Sequence, residues 1–468
     1  MAEEICGINE WNYKNLDLIE ECFEHYKKAC VLIAGASSSG KSFIGEELKG
    51  FLEGRGYKCC VLSTDSYNKG ISGIIADKVN ANYFNSALPN MPKIRQKIKD
   101  VIITADFEDK FSPENLEKIR PQLEGLLPGN QADEFVSLLP LEYKVINFDE
   151  DSVYDLKSVR ADILALLNGE KIIKKEYSKI ISEQCGDGSF IDGNDYNVII
   201  VDGLYAINDD IVQNLAGAQI ISNFVESDNK TLFLRRILRD AKTTSANSLF
   251  TVPLYFGAVM NGYKSTVLPS KKNADIVLNN SITFDELRHG ELFSNKLKLK
   301  IDDKAFVDFL FNMAQSTSYI YQRDLYFSDD SENDEHSNLL RVRSVSQDGK
   351  NFTLSSLVHK GAQKLRRDGK VLRPINILVK DGDLNKIYGS EQELVKAFSN
   401  ANLKVSRTIV KKRTRIVING EKFTIDQFDN SAYVEVNPEC DSAICKFLLK
   451  NGKVCNTFYE IAVNNLHS

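Results

Sequence analysis

Residues 35–42 read Gly-Ala-Ser-Ser-Ser-Gly-Lys-Ser, which sets two glycines, a lysine and a hydroxyl side chain at the spacing G-x-x-x-x-G-K-[ST]. Such a stretch suits the phosphates of a nucleotide. Gly35 and Gly40 let the backbone amides of Ala36, Ser37, Ser38 and Ser39 curl round an anion, and the N-terminus of a following helix adds positive potential. Lys41 then reaches the terminal phosphates, and the Ser42 hydroxyl is placed to bind Mg²⁺. Farther along, Asp65 in VLSTDSYNKG and Asp202 in NVIIVDG are carboxylates at the ends of apolar runs. Asp65 can take a proton from an attacking hydroxyl, or serve only as a turn former; Asp202 is of the right type and place to support Mg²⁺. FLRRILRD supplies Arg235, Arg236 and Arg239 on one helix, at least one of which should face the phosphates as a charge clamp.

These residues need a scaffold that gathers them, and the first half of the chain has the rhythm of one. CVLIA, CCVLS, NVIIVDG, QIISNFVES and ADIVL are near-continuous apolar runs, predicted as strands buried on both faces. Amphipathic stretches such as VRADILALLNGEK and NKTLFLRRILRDAK separate them. The alternation predicts an α/β domain with a parallel sheet and helices on both faces. Strand ends beside the phosphate loop then form the ligand crevice, with Asp65 facing the phosphates. SFIGEELKGFLEGRG has helical spacing and a stop at Gly54 and Gly56. Residues 68–144 read as a largely helical insertion near the substrate side, with a helix start at Ser112-Pro113-Glu114-Asn115.

A chain of 468 residues is long enough for two or three domains, and 43% hydrophobic with 26% charged residues reads as globular. A net charge of −6 points to neither nucleic acid nor an anionic membrane as partner. The acidic start MAEEICGINEW argues against a signal peptide, and no segment approaches a membrane span. Nine dispersed cysteines without metal-ligand spacing fit reduced thiols in a cytoplasmic protein, and five histidines without helical pairing disfavour a zinc site.

After roughly residue 283 the rhythm becomes alternation in twos. KLKLKID places Lys296, Lys298 and Lys300 on one strand face and Leu297, Leu299 and Ile301 on the other. RVR and RTR repeat the device with Arg341, Arg343, Arg413 and Arg415. Asp348-Gly349 and Asn419-Gly420 mark hairpins. Several strands with one basic face predict an antiparallel barrel with a cationic interior or groove; lysines that guard an edge strand are the plainer alternative. The acidic run SDDSENDEHS, residues 328–337, reads as a solvated loop.

The first half resembles the uridine kinase and phosphoribulokinase family of P-loop kinases over most of residues 28–282. VLSTDSY is similar to that family's strand ending in Asp-Ser-Phe or Asp-Ser-Tyr, and INFDEDSVYD to its Asn-Phe-Asp motif. NVIIVDG stands where the family has Val-Glu-Gly, and LFLRRILRD and LPSKKNADIVL also follow its pattern. The resemblance implies ATP and Mg²⁺ as ligands, Asp65 as base for an acceptor hydroxyl, and Tyr67, Asp149 and Tyr177 near the acceptor. Two departures concern specificity: Ser182 stands where the family's pyrimidine-reading histidine falls, and the lid reads DAKTTSANS with only Lys242 basic.

The second half resembles the CYTH, or triphosphate tunnel, family over about residues 284–468, through YQRDLYF, LLRVRS, SLVHKG, VLRP, KKRTRIVINGEKFTIDQF and AYVEV. The resemblance implies an α+β closed tunnel in which Lys300, Arg341, Arg343, Lys360, Arg413 and Arg415 hold a polyphosphate, with Glu435 and Asp426 as remaining acids. The family's Glu-x-Glu-x-Lys strand, whose glutamates hold metal, reads here Lys296-Leu297-Lys298-Leu299-Lys300. The expected organisation is a kinase-like domain at 1–283 and a CYTH-like domain at 284–468. The expected activity is transfer of the ATP γ-phosphate to a nucleoside or sugar hydroxyl, with a polyphosphate or nucleotide ligand on the second domain. The rival expectations are a triphosphate or pyrophosphate hydrolase and a non-catalytic sensor.

Overall fold

Seven successive residues, Ala29–Gly35, carry no charge and end in the phosphate loop, and all seven are buried as a central strand of a parallel sheet. The computed structural model describes the chain apart from residues 1, 6, 107–108, 145, 187, 216–219, 244–247, 282–292, 295–296, 302, 329–338, 361–363, 366–370, 380–382, 429–430, 437–441, 452 and 455–468. Side chains at 214, 241–243, 248–250, 293–294, 297, 339, 360, 364–365, 371–377, 451 and 453–454 also lie outside the description. The chain divides into two units, Met1–Ser281 and Ile282–Ser468.

The first unit is built on six strands: β1 (Glu3–Ile5), β2 (Ala29–Gly35), β3 (Cys59–Ser63), β4 (Val198–Asp202), β5 (Ile220–Glu226) and β6 (Ile276–Asn279). They lie in the order β1-β6-β5-β2-β4-β3, every pair parallel. Both faces are apolar because both are covered. Val31, Ile33, Val198, Ile200 and Ile276 pack on helices α1 (Ile8–His25) and α2 (Lys41–Glu53) through Trp11, Ile19, Ile44 and Leu48. Leu32, Cys60, Ile199, Val201 and Phe224 point the other way, as the two-residue period of a strand requires.

The insertion is helical: α3 (Gly70–Phe84), α4 (Met91–Ile102), α5 (Pro113–Leu123) and α6 (Gln131–Lys144). Ser112 caps α5, accepting the Asn115 backbone N–H with Pro113 at the first position, where no N–H is missed. Ile71, Ile75, Ile98, Ile119, Phe135 and Leu139 join the core under this face of the sheet. Helix α7 (Leu156–Leu167), capped by Asp155, and α8 (Asn229–Thr243), which bears the three arginines, complete the parts that matter for the site.

The second unit is an antiparallel sheet. Its main strands are β7 (Leu297–Ile301), β8 (Ser316–Ser328), β9 (Leu339–Ser346), β10 (Thr353–Lys360), β11 (Val371–Val379), β12 (Lys404–Ile418), β13 (Glu421–Gln427) and β14 (Ala432–Val436). They run in the order β11-β10-β9-β8-β12-β13-β14-β7, with two-residue strands at 293–294 and 453–454 at the ends and 364–365 beside β11. The pairings among the described residues form an open order, and closure into a tunnel is not among them. Asn419 (φ 50°) and Gly420 (φ 80°) make the two-residue turn between β12 and β13, the left-handed pair a tight hairpin needs. Leu299, Ile416, Ile418, Phe423, Ile425 and Val434 face α9 (Lys304–Asn312) through Val307 and Leu310, which leaves the other strand face to the charges. The acidic run at 328–337 lies outside the described residues after Ser328.

Candidate active site

The phosphate loop turns where strand β2 stops. Gly35 has φ +148° and passes so close to β5 that a Cβ there would sit 2.2 Å from the Val225 carbonyl oxygen, so only glycine fits. Ser38 takes a left-handed φ of 67°, and Gly40 leads into α2, whose first residue is Lys41. The hydroxyl oxygens of Ser38 and Ser39 are buried and, among the described residues, have no hydrogen-bond partner, as donors awaiting an anion would. Lys41 is buried and its Nζ donates to the Ala36 carbonyl at 2.7 Å. Burial pulls its pKa down to about 8, against the attraction of Asp65 and Asp202.

A cavity of about 420 Å³ opens over this loop. It gathers Ser37, Ser38, Gly40, Lys41 and Ser42 with Asp65, Asp149, Tyr177, Asp202, Arg235, Arg236 and Arg239. Gly35, Ala36 and Ser39 complete the loop behind them. Ser42 Oγ donates to Asp202 Oδ2 at 2.5 Å, and Asp202 is buried. Burial pushes the Asp202 carboxyl up, with the Ser42 hydrogen bond opposing it. Strand β4 can deliver Asp202 here because Gly203 follows: at φ +158° its missing Cβ would lie 1.6 Å from Thr64 Oγ1. Ser42 and Asp202 therefore fit a Mg²⁺ whose remaining ligands are phosphate oxygens and water, the usual way that ion is held.

Asp65 sits at the end of β3 and meets Lys179, whose Nζ lies 2.8 Å from Oδ2. Burial alone would raise the Asp65 carboxyl, but Lys179 and Lys41 together hold it below the usual range. Arg236 is almost fully buried and reaches three partners: Ser37 Oγ at 2.9 Å, Asp149 Oδ2 at 3.2 Å and Asp240 Oδ2 at 2.9 Å. Arg235 donates to the carbonyls of Ser39 (3.3 Å) and Asn280 (2.9 Å), and Arg239 donates to Ser37 Oγ (3.3 Å) and Asp240. All three arginines thus border the loop, spaced by the helical period of α8.

Two expectations are corrected. Tyr67 does not line the cavity: it is buried, its hydroxyl donates to Asp162 at 2.8 Å and the Lys175 ammonium lies 4.5 Å from its ring centre. The one-turn 3₁₀ helix at Thr64–Tyr67 rotates Asp65 and Tyr67 to opposite sides, which a strand reading of VLSTDSY missed. Of the expected insertion 68–144, Asn68 lines the cavity and, among the described residues, none of 69–144 does, so its helices support the site from behind. It does so through Ser72, whose N–H and hydroxyl both donate to buried Glu183. Sequence reading missed Lys179, Tyr154 and Asp240, which the cavity includes; the Lys179 signal was available, three residues before Ser182, itself a lining residue. Past Asp240, the side chains of the lid stretch, Lys242 included, lie outside the described residues.

In the second unit, opposite charges stand directly across the sheet from one another: Arg343 from Asp324, Arg413 from Asp426, Lys298 from Glu435. Asp426 is completely buried and accepts Lys298 Nζ (2.6 Å), Lys411 Nζ (3.0 Å), Arg413 Nε (2.6 Å) and Arg413 Nη2 (2.7 Å). Glu435 accepts Arg413 Nη2 at 2.7 Å; burial would raise its pKa, but Lys298 and Arg413 hold it at about 2. Arg343 makes a two-point bond to Asp324, both contacts 2.7 Å, and Arg341 lies 3.9 Å from the same carboxylate. Lys300 is half-buried; Arg415, on the same strand as Arg413, is exposed, and the Lys360 side chain lies outside the described residues. Asp324 and Lys411 were not singled out from the sequence.

Residues 141–285 match the family model described as the phosphoribulokinase / uridine kinase family. A uridine kinase from Ureaplasma parvum serovar 3 is 29% identical over 135 residues, 29% of this chain and 63% of that protein. The chain thus spans less than two thirds of that relative's length. A uridine kinase from Halobacterium salinarum is 27% identical over 194 residues, 40% of this chain and 84% of that protein. Among solved structures, one titled a possible uridine kinase from Bacillus stearothermophilus aligns over 57% of this chain and 99% of its own at 12% identity, with a TM-score of 0.28. No described helix is long and apolar enough to cross a membrane. With the phosphate loop at Gly35–Ser42 and the family match at 141–285, the first unit is a P-loop domain similar to those of the uridine kinases and phosphoribulokinases.

Proposed function

We propose that the first unit transfers the terminal phosphate of ATP to a hydroxyl of a small acceptor, a nucleoside or a sugar. The observation that supports this best is the convergence of Lys41, Ser42, Asp65, Asp202 and the three arginines of α8 on one cavity. Lys41 and the loop amides hold the phosphates. Asp65, kept ionised by Lys179, accepts the proton of the acceptor hydroxyl as its oxygen bonds to phosphorus and the bond to the ADP oxygen breaks. Bound Mg²⁺ at Ser42 and Asp202 supplies charge neutralisation of the phosphates. Arg236 anchors Asp149, which orients the acceptor, while Arg235 and Arg239 balance charge around the loop. Tyr177 and Phe148 supply apolar walls, and Ser182 in place of a histidine leaves the base-reading position without a ring. On the second unit we assign a polyphosphate or nucleotide ligand to the charged sheet face, on the strength of its clustered cations.

The test is ATP consumption with Mg²⁺, alone and with a panel of nucleosides, pentoses and polyphosphates, beside the Lys41→Ala variant. ADP formed only with one acceptor, which gains a phosphate, supports the kinase reading. Phosphate release without an acceptor makes water the acceptor and replaces the kinase by a hydrolase. Tight ATP binding with no turnover leaves a sensor.

A further inference from the structure

On one face of the second unit, five cationic side chains, Lys298, Arg341, Arg343, Lys411 and Arg413, share three carboxylates, Asp324, Asp426 and Glu435. The site is built, because Lys411, Asp324 and Asp426 are more than nine-tenths buried and Arg341 is 8% exposed. Among the described residues its surplus is cationic, and leaving a charge buried without a counter-charge is costly. Arg341 carries that surplus most plainly: among the described residues its Nε has no hydrogen-bond partner, and the carboxylate it approaches, Asp324 at 3.9 Å, is already held at two points by Arg343.

The carboxylates are in turn spent. Lys298 Nζ lies between Asp426 (2.6 Å) and Glu435 (3.3 Å), bridging the two as a cation would, and Arg413 closes the remaining side of both. A divalent ion has to displace an ammonium to reach either oxygen pair, and no group of three acids or metal-ligating side chains exists among the described residues. The metal that the CYTH resemblance implies therefore does not fit the residues present.

From this we infer that the charged face binds a triphosphate-type anion, a condensed phosphate or the phosphate tail of a nucleotide, without any divalent metal, with Lys298 serving as a tethered cation in the metal's place. The inference rests on the reading of this face as an anion site. Arg341 on β9 presents a guanidinium fork that matches phosphate oxygens, beside Arg343 held on Asp324, while Lys411 and Arg413 on β12 and Lys298 on β7 extend the cationic track across the sheet.

The test is calorimetric titration of the full chain carrying Lys41→Ala, which removes the phosphate-loop lysine from the measurement. Tripolyphosphate and ATP are titrated separately, each in excess EDTA and each in Mg²⁺. Binding in EDTA at least as tight as in Mg²⁺ is the expected result. Equal affinity for both ligands identifies the triphosphate as what is read; preference for one names the source. Lys298→Ala should weaken binding in EDTA about tenfold or more, by loss of a charge-assisted contact, and by less in Mg²⁺, because Asp426 and Glu435 each lose one of their cations there while keeping Arg413. Arg341→Gln, which leaves the Lys298 bridge intact, should weaken binding about tenfold under both conditions and guards against a misfolded first variant. Binding only in Mg²⁺ overturns the inference and leaves the anion site standing. No binding under either condition overturns both.

Discussion

Arg236 is the residue whose removal discriminates best between a built site and a chance cluster. Its guanidinium lies between two carboxylates, Asp149 at 3.2 Å and Asp240 at 2.9 Å, and the three side chains are only 7%, 8% and 7% exposed. Arg236→Met keeps the volume and takes the shared cation from both acids. Stranding a buried ion's partner costs about 3–5 kcal/mol, and Asp149 borders a cavity where water can reach it while Asp240 retains Arg239 at 2.7 Å, so the low end, about 3 kcal/mol, is expected. The assay is urea unfolding followed by the fluorescence of Trp11. It is the chain's one tryptophan, it is fully buried, and its Nε1 donates to Asn223 at 2.7 Å, so the signal belongs to the first unit alone. Adding Asp149→Asn removes one stranded charge, and the double variant should recover at least about 1 kcal/mol of the loss. Asp240 adds an acid limb: burial would raise its carboxyl, but Arg236 and Arg239 hold it below the usual range. Its stability is therefore present above that range and lost as pH falls through the folded value, and the variant should show a shallower acid slope. A single variant that costs less than about 1 kcal/mol, with no recovery in the double, refutes the reasoning.

Three further outcomes are expected. Lys179→Met removes the ammonium 2.8 Å from Asp65, so the acid limb of kcat/KM should move to higher pH; an unmoved limb separates Lys179 from Asp65. Gly203→Ala drives a Cβ to 1.6 Å from Thr64 Oγ1 and should destabilise the first unit by about 1–3 kcal/mol, read by the same Trp11 transition. Burial and then Lys298 pull Lys411 down to about 7, against Asp426 and Asp324, with Arg413 adding repulsion. Tripolyphosphate binding should therefore take up a proton above that pH, and affinity measured in EDTA should fall as pH rises from 7 to 9, approaching tenfold per unit at most. A flat profile would detach Lys411 from the anion.

Much of the first unit could be read from the chain because its signals are local. Apolar runs report strands covered on both faces, the glycine spacing reports a loop that must let backbone amides point inward, and Ser112-Pro113 reports a helix start. The alternation of Lys298, Lys300 and Leu299, Ile301 likewise fixed which side of β7 meets the core. What could not be read was direction within a turn and pairing across the chain. The 3₁₀ turn at Thr64–Tyr67 sends Asp65 to the cavity and Tyr67 to Asp162, an arrangement sealed by a hydrogen bond between residues 95 apart. Lys179 on Asp65 and Arg236 on Asp149 are likewise contacts between elements, as are the four bonds that consume Asp426. Residue type and spacing determined what chemistry was available, because those are properties of the chain. Which charges neutralise one another, and so which remain to meet a ligand, was decided only by the folded structure, because Coulomb energies depend on separation and burial rather than on sequence distance.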